Sequence, residues 1–180
     1  MKGEPANDGS AKVNETVKSR AEAIREVLDR HGREAVYVAS TGFVSRAVFA
    51  ETGDDYDVFF MQGSMGLAPA IGLGMALNTP LDVVVINGDA SLLMSLGTTH
   101  TLRDKGPANL YHYVLDNGCH ESVGGQPCAA LEKSYPGVTE IIKISKDGRP
   151  PRVGMTPEED SERVRQAFRG ARGASTTSDR

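Results

Sequence analysis

No stretch of this chain approaches the run of about eighteen apolar residues that a bilayer-spanning helix needs. The opening Met1-Lys2-Gly3-Glu4-Pro5 carries no apolar core of the kind a secretory leader requires. Cysteine is scarce as well. Cys119 and Cys128 are the two present, and they form no Cys-x-x-Cys pair and lack histidines at zinc-site spacing. A disulfide between them stays open, although nothing points to secretion. Charge of one sign is not in excess: 20 basic residues stand against 24 acidic ones, a net charge of −4. That mild acidity gives no reason to expect nucleic acid or an anionic membrane as a partner. Neither a GxGxxG nor a GxxxxGK[ST] pattern occurs, which sets the common nucleotide-phosphate loops aside. The expectation is a soluble cytoplasmic protein.

What is present is an ordinary globular composition, 39% hydrophobic and 24% charged, over 180 residues. That length suits one substantial core and is short for two. Residues 1–12 are small and polar and read as a disordered arm, 13–170 as one domain, and 171–180 as a disordered tail. Val13, Val17, Ala21, Ile24 and Leu28 recur at helical spacing and predict an amphipathic helix closing near His31-Gly32. Short apolar runs at 35–39, 58–61, 82–86, 110–115 and 139–144 read as buried strands. Helical patterns at 43–50, 68–77, 91–103 and from Pro157 to about 168 alternate with them, and 121–127 reads as a loop. Gly72 and Gly74 inside the third helix each cost about 1 kcal/mol against alanine, so that helix is expected to lie very close to a neighbour. Alternation of this kind predicts an α/β three-layer sandwich around a mostly parallel sheet.

Four of the strands end in small or polar turns: Ser40-Thr41-Gly42, Gly63-Ser64-Met65-Gly66, Gly88-Asp89-Ala90-Ser91 and Asp116-Asn117-Gly118. In a parallel sheet these turns share the carboxyl edge, where open α/β sheets bind ligands. A carboxylate (Asp89) and a carboxamide (Asn117) side by side there suit a hard divalent ion that completes its shell with phosphate oxygens and water. Asp89 as a mere helix cap, and Met65 as ordinary core, are the bland alternatives. His120 and Glu121 are the ionisable residues beside this edge, for proton relay or for meeting an anionic substrate; an exposed loop pair serves the sequence equally well. Arg46 reads as a helix surface charge or as a partner for another chain.

Gly88-Asp89-Ala90 is followed, after 26 residues, by Asn117, and this resembles the thiamine-diphosphate motif that begins Gly-Asp-Gly and ends in Asn. Gly63-Ser64-Met65-Gly66 with Pro69 and Gly72 is similar to a second signature of that diphosphate-binding (PP) domain. Leu115-Asp116-Asn117-Gly118 and His120-Glu121-Ser122-Val123-Gly124-Gly125-Gln126-Pro127 resemble phosphonopyruvate decarboxylases and, slightly less, sulfopyruvate decarboxylases. Ser40-Thr41-Gly42 with Ser45-Arg46, and Pro151-Arg152 with Thr156-Pro157-Glu158-Glu159, fit the same family.

The resemblance implies roles. Asp89 and Asn117 would bind Mg²⁺ through their side chains and Cys119 through its main-chain oxygen. Thr41, Gly42, Gly88, Ala90 and Ser91 would lie against the diphosphate. In the Gly63-Ser64-Met65 turn, the Gly63 carbonyl would accept a hydrogen bond from the aminopyrimidine, and Met65 would hold the cofactor bent. The substrate would be a small anionic 2-oxo acid. Two departures stand out. Ala90 replaces the usual Gly, which should weaken cofactor contact. The family's essential glutamate belongs to a separate pyrimidine-binding domain, for which this chain has no room. The implied protein is therefore the beta subunit of an alpha/beta hetero-oligomer, inactive without its alpha partner. A non-catalytic thiamine-diphosphate-binding regulatory subunit is the other reading.

Overall fold

The structure, a computed structural model, describes residues 12–175. Nearly all of the expected arm at 1–12, and residues 176–180 of the expected tail, lie outside the described residues. In chain order the elements are β1 (Lys12–Lys18), α1 (Arg20–His31), β2 (Val36–Ala39), α2 (Phe43–Thr52), β3 (Asp57–Phe60), α3 (Ala68–Ala76) and β4 (Val83–Gly88). There follow α4 (Asp89–Met94), α5 (Leu96–Lys105), β5 (Leu110–Asp116), β6 (Cys119–His120), β7 (Gln126–Pro127), β8 (Glu140–Ile144) and α6 (Pro157–Ser175). Six strands form one sheet in the order β1-β8-β5-β4-β2-β3, and every pair in it is parallel.

Alternate residues of the central strands feed two cores, as the period of two in a strand demands. Tyr37, Ala39, Val84, Ile86, Tyr113 and Leu115 join Ala23, Ile24, Val27 of α1 and Ala47, Val48 of α2. Val38, Val83 and Val85 point the other way, toward Ala68 and Ala76 of α3, and Val114 and Ile141 meet Leu92 of α4. Both faces are covered, so β2 and β4 are buried along nearly their whole length, as parallel sheets require. The expected three-layer α/β sandwich is what forms. α3 closes on the sheet at Gly72, where an added Cβ would lie 2.3 Å from Val85 Cγ2, while the same addition at Gly74 meets nothing within 4 Å. One of the two glycines thus has the close neighbour expected of it.

The structure departs from the expected elements in four places. Residues 12–18 are not the start of the first helix but an edge strand paired in parallel with β8. Ser19 and Glu22 form a reciprocal capping box that starts α1 at Arg20 and so excludes the preceding residues from the helix. The expected helix over 91–103 is broken at Ser95, whose ψ of 44° is not helical; here Gly66 packs against Met94 and Ser95. The 121–127 loop is closed by two antiparallel pairs, Cys119↔Pro127 and His120↔Gln126. Gly124 and Gly125, both at positive φ, turn the chain between them. Finally, α6 continues to Ser175, beyond the expected boundary at 170. No described helix is long and apolar enough to cross a membrane.

Candidate functional site

The strand order reverses at β2. From β2 the chain moves to one side to make β3, and β4 lies on β2's other side. A crevice therefore opens at the carboxyl ends of β2 and β4, the place where open α/β sheets receive ligands. A cleft of about 290 Å³ occupies it, and Thr41, Gly42, Met65, Gly88, Asp89, Ala90, Ser91, Asn117, Cys119, His120 and Glu121 all line it. Of the residues singled out from the sequence, Gly63 lines a neighbouring cavity instead. Ser64 lines neither, and is the one non-glycine residue held at positive φ, +53°, among the described residues.

Hydrogen bonds fix the turns against one another. Ser91 Oγ lies 3.0 Å from Ser40 Oγ and accepts from the Gly66 N–H at 3.0 Å, so one hydroxyl joins the tips of β2 and β4 to the loop after β3. Under the β4 tip, Asn87 Oδ1 accepts from the Gly88 N–H at 3.0 Å, and its Nδ2 lies 3.3 Å from Nε2 of His112. Burial pushes the His112 imidazole down to about 4, so it is neutral at pH 7 and serves as an acceptor. At the β2 tip a Cβ on Gly42 would lie 2.9 Å from Ser122 Oγ. Only glycine, at its φ of +77°, allows that approach.

Asp89 and Asn117 are brought together by consecutive peptide groups. The Gly118 N–H donates to Asp89 Oδ2 at 2.7 Å, and the Cys119 N–H donates to Asn117 Oδ1 at 3.1 Å. Asp89 is 3% exposed. Its remaining partners are neutral donors, the Ala90 N–H at 2.8 Å and the Cys128 thiol at 3.1 Å. Burial, with Asp116 nearby, raises the Asp89 pKa, while the donated hydrogen bonds oppose the rise. Burial first, and then Asp89 itself, push the Cys128 thiol up to about 12, so it stays a protonated donor. A buried carboxylate facing a cleft with no cation beside it among the described residues is a site short of positive charge. No group of three or more His, Cys, Asp or Glu able to hold a metal exists among the described residues. A cation here would therefore take its other ligands from carboxamide, main-chain and ligand oxygens. A hard ion carried in by a diphosphate fits that donor set.

Glu121 faces inward. Its Oε2 accepts from Asn117 Nδ2 at 2.8 Å and from Arg20 Nη2 at 2.5 Å. The amide orientation of Asn117 is thereby fixed, with Nδ2 toward Glu121 and Oδ1 accepting the Cys119 N–H. Arg20 is 4% exposed and also donates to the Gly148 carbonyl at 3.3 Å. Arg20 and Cys128 were not marked as site residues by the sequence. For Arg20 a signal existed: the Ser19-x-x-Glu22 capping box makes it the first helical residue, at the carboxyl edge of β1. Nothing local marked Cys128, while Ser40, in its strand-end turn, adds a hydroxyl contact to Ser91. Arg46, read as a helix surface charge or as a partner for another chain, is half-buried with its guanidinium 5.6 Å from the Phe43 ring. Both cysteines are free.

The profile of the thiamine pyrophosphate enzyme C-terminal TPP binding domain matches residues 40–176. Among curated proteins, the phosphonopyruvate decarboxylase of Streptomyces viridochromogenes is 45% identical over 121 residues, covering 67% of this chain and 30% of that protein. The sulfopyruvate decarboxylase subunit beta of Methanocaldococcus jannaschii is 36% identical over 107 residues, 59% of this chain and 56% of that one. Its counterpart in Methanococcus maripaludis is 30% identical over 136 residues, 76% of this chain and 70% of that one. The chain thus spans about a third of the first of these proteins and over half of the others. With the matched region running from the β2 tip through α6, the chain belongs to the thiamine pyrophosphate enzymes, in the family of their C-terminal TPP binding domain.

Proposed function

We propose that this chain is the diphosphate-binding, or beta, half of a split 2-oxo acid decarboxylase that converts phosphonopyruvate to phosphonoacetaldehyde and CO2. The observation that carries the reading is the Asp89–Asn117 oxygen pair, held on the successive Gly118 and Cys119 amides at the sheet's switch point. Asp89 and Asn117, with the main-chain oxygen of Cys119, would hold Mg²⁺. Thr41, Gly42, Gly88, Ala90 and Ser91 would face the diphosphate. The Gly63 carbonyl and Met65 would fix the aminopyrimidine end. When bound, thiamine diphosphate supplies the thiazolium that takes up the electron pair released with CO2. Glu121, tied through Oε2 to both Arg20 and Asn117, orients Asn117 and keeps Oε1 without a hydrogen bond from the described residues. His120 lines the cleft, and its ring has no partner among the described residues, so it is available to meet the substrate or move a proton.

The essential glutamate would come from an alpha subunit carrying the pyrimidine-binding domain. Relatives named as beta subunits support this division. So do exposed apolar side chains near the cleft: Met65, which lines it, and Leu67, Met94 and Leu96 are 37%, 46%, 61% and 38% exposed, and Gly66 between the first two lies against Met94. Those same beta-subunit relatives favour sulfopyruvate as the second reading of the substrate. Mixing the chain with an alpha partner and assaying both oxo acids, alongside calorimetric titration of thiamine diphosphate and Mg²⁺, tests the proposal. CO2 release from phosphonopyruvate only in the mixture is the expected result. Tight cofactor binding with no turnover of either acid would instead identify a regulatory subunit.

A further inference from the structure

Beside the cofactor cleft, across the Thr41-Gly42 turn that both share, lies a second cavity of about 230 Å³ between the tips of β2 and β3. Its chemistry is the reverse of the first. Arg46, Arg152 and Ser45 line it together with Gly63, and no Asp or Glu does. Ser45 is 4% exposed, yet its Oγ has no hydrogen-bond partner, and neither has the fully buried Nη1 of Arg46. Neither arginine forms an ion pair with a described residue. The cavity also adjoins the amino end of the ten-residue helix α2, whose N-cap, Gly42, provides no side-chain acceptor. The N–H groups of that first turn have no intrahelical acceptor. Buried donors are almost always satisfied in folded proteins, and a guanidinium fork matches tetrahedral oxyanions in particular.

We infer that this cavity is an oxyanion site that receives the phosphonate or sulfonate tail of the substrate, with Arg46 Nη1, Ser45 Oγ and Arg152 as its donors. The inference rests on the decarboxylase reading for the identity of the substrate, but not for the existence of the site. Its position next to Gly63, on the aminopyrimidine side of the shared turn, sets the anionic tail apart from the cofactor's diphosphate, which the Asp89 side of the cleft accommodates. The site would therefore distinguish 2-oxo acids with an anionic tail from those without one.

The test uses the full chain and two tail analogues, methylphosphonate and methanesulfonate, titrated by NMR. At least one should bind in the millimolar range. Arg46→Met should weaken that binding at least tenfold, Arg152→Met several-fold, and Arg46→Lys should recover part of it, since a point charge replaces the fork. A thiamine diphosphate titration of each variant confirms that it has folded, and Arg152, being exposed, offers a variant with little structural risk. In the reconstituted alpha/beta mixture, Arg46→Met should raise the KM for the preferred oxo acid at least tenfold with cofactor affinity unchanged. If neither analogue binds the wild-type chain, or if Arg46→Met and Arg152→Met both bind as the wild type does, the site is overturned. Should analogue binding depend on Arg46 while the mixture decarboxylates neither oxo acid, the anion site stands and the decarboxylase reading falls.

Discussion

Arg20 and Arg46 lie over the same ring, Phe43, at 5.7 and 5.6 Å from its centroid, and their surroundings are opposite. Arg20 belongs to the tips of β4 and β5. Its charge is met by Glu121, Glu121 holds Asn117, and what this region lacks is a cation for the buried Asp89. Arg46 belongs to the tips of β2 and β3, where no acid answers it and what is lacking is an anion. Residue type alone does not separate these two arginines, since both lie near the amino end of a helix beside the same crevice. The difference lies in which partners the fold leaves out. In each region the described residues leave charge unmet, negative at Asp89 in the first and positive at Arg46 and Arg152 in the second.

Removing the unmet charge on the first side should have the largest effect. Asp89→Asn keeps the size of the side chain and one acceptor oxygen, but it deletes the charge that would draw Mg²⁺. Mg²⁺-dependent thiamine diphosphate affinity should fall at least about 100-fold, more than the loss of an outer-shell partner normally costs; unchanged affinity by calorimetry would remove the metal assignment. The wild-type pH dependence follows from the raised Asp89 pKa. A cation needs the ionised form, so affinity should weaken as pH falls through that raised value, at a higher pH than for an ordinary aspartate. Asp89→Asn should flatten this dependence.

Next in size is the Arg20–Glu121–Asn117 chain. Glu121→Ala takes away the acceptor of Asn117 Nδ2 and the counter-charge of a buried guanidinium. A loss of about 10- to 100-fold in Mg²⁺-dependent cofactor affinity is expected, with a fall in stability of a few kcal/mol. Glu121→Gln preserves an acceptor for Asn117 and should restore most of the affinity and turnover. A residue that itself carried a proton would not be rescued in this way, so low turnover with full cofactor affinity in Glu121→Gln would make Glu121 catalytic.

The first of the two regions was far more legible in the sequence than the second. Asp89 and Asn117 each follow a valine- or tyrosine-rich strand directly, and local pattern suffices to put them at one sheet edge. The alternation of strands and helices likewise defined the layers. The basic cavity required knowing that β3 sits beside β2, that Arg152 returns from the far end of the chain, and that Ser45 and Arg46 find no partner there. None of these is a local property. β1 was misread for a related reason. An edge strand with Val17 65% exposed buries too little to impose a period of two, and Val13 and Val17 then fall by accident on helical spacing. The tie of Glu121 to Arg20 was not legible because the two stand about a hundred residues apart in the chain.

The smallest expected effect comes from a second buried acid, behind the basic side, and it separates burial from function. Asp160 of α6, 3% exposed like Asp89, accepts the Phe60 N–H at 3.0 Å and so occupies the backbone of edge strand β3. Burial raises its pKa to about 6, against the pull of the Phe60 N–H and Arg163. For an acid whose folded value lies above the unfolded one, near 3.8, the folded protein holds the proton more tightly. Stability from that proton is complete below about pH 4 and is lost as pH rises through 6. Asp160→Asn mimics the protonated form and keeps an acceptor for Phe60. It should leave the melting temperature nearly unchanged at pH 4 and raise stability by about 1–3 kcal/mol at pH 8, without altering cofactor affinity at any pH. Asp89→Asn shares the burial and the direction of the pKa shift and should also tolerate the loss of charge in the absence of ligands, yet lose the cofactor. If instead Asp160→Asn weakened cofactor binding as well, the contrast between a carboxylate open to the crevice and one closed against a strand would fail.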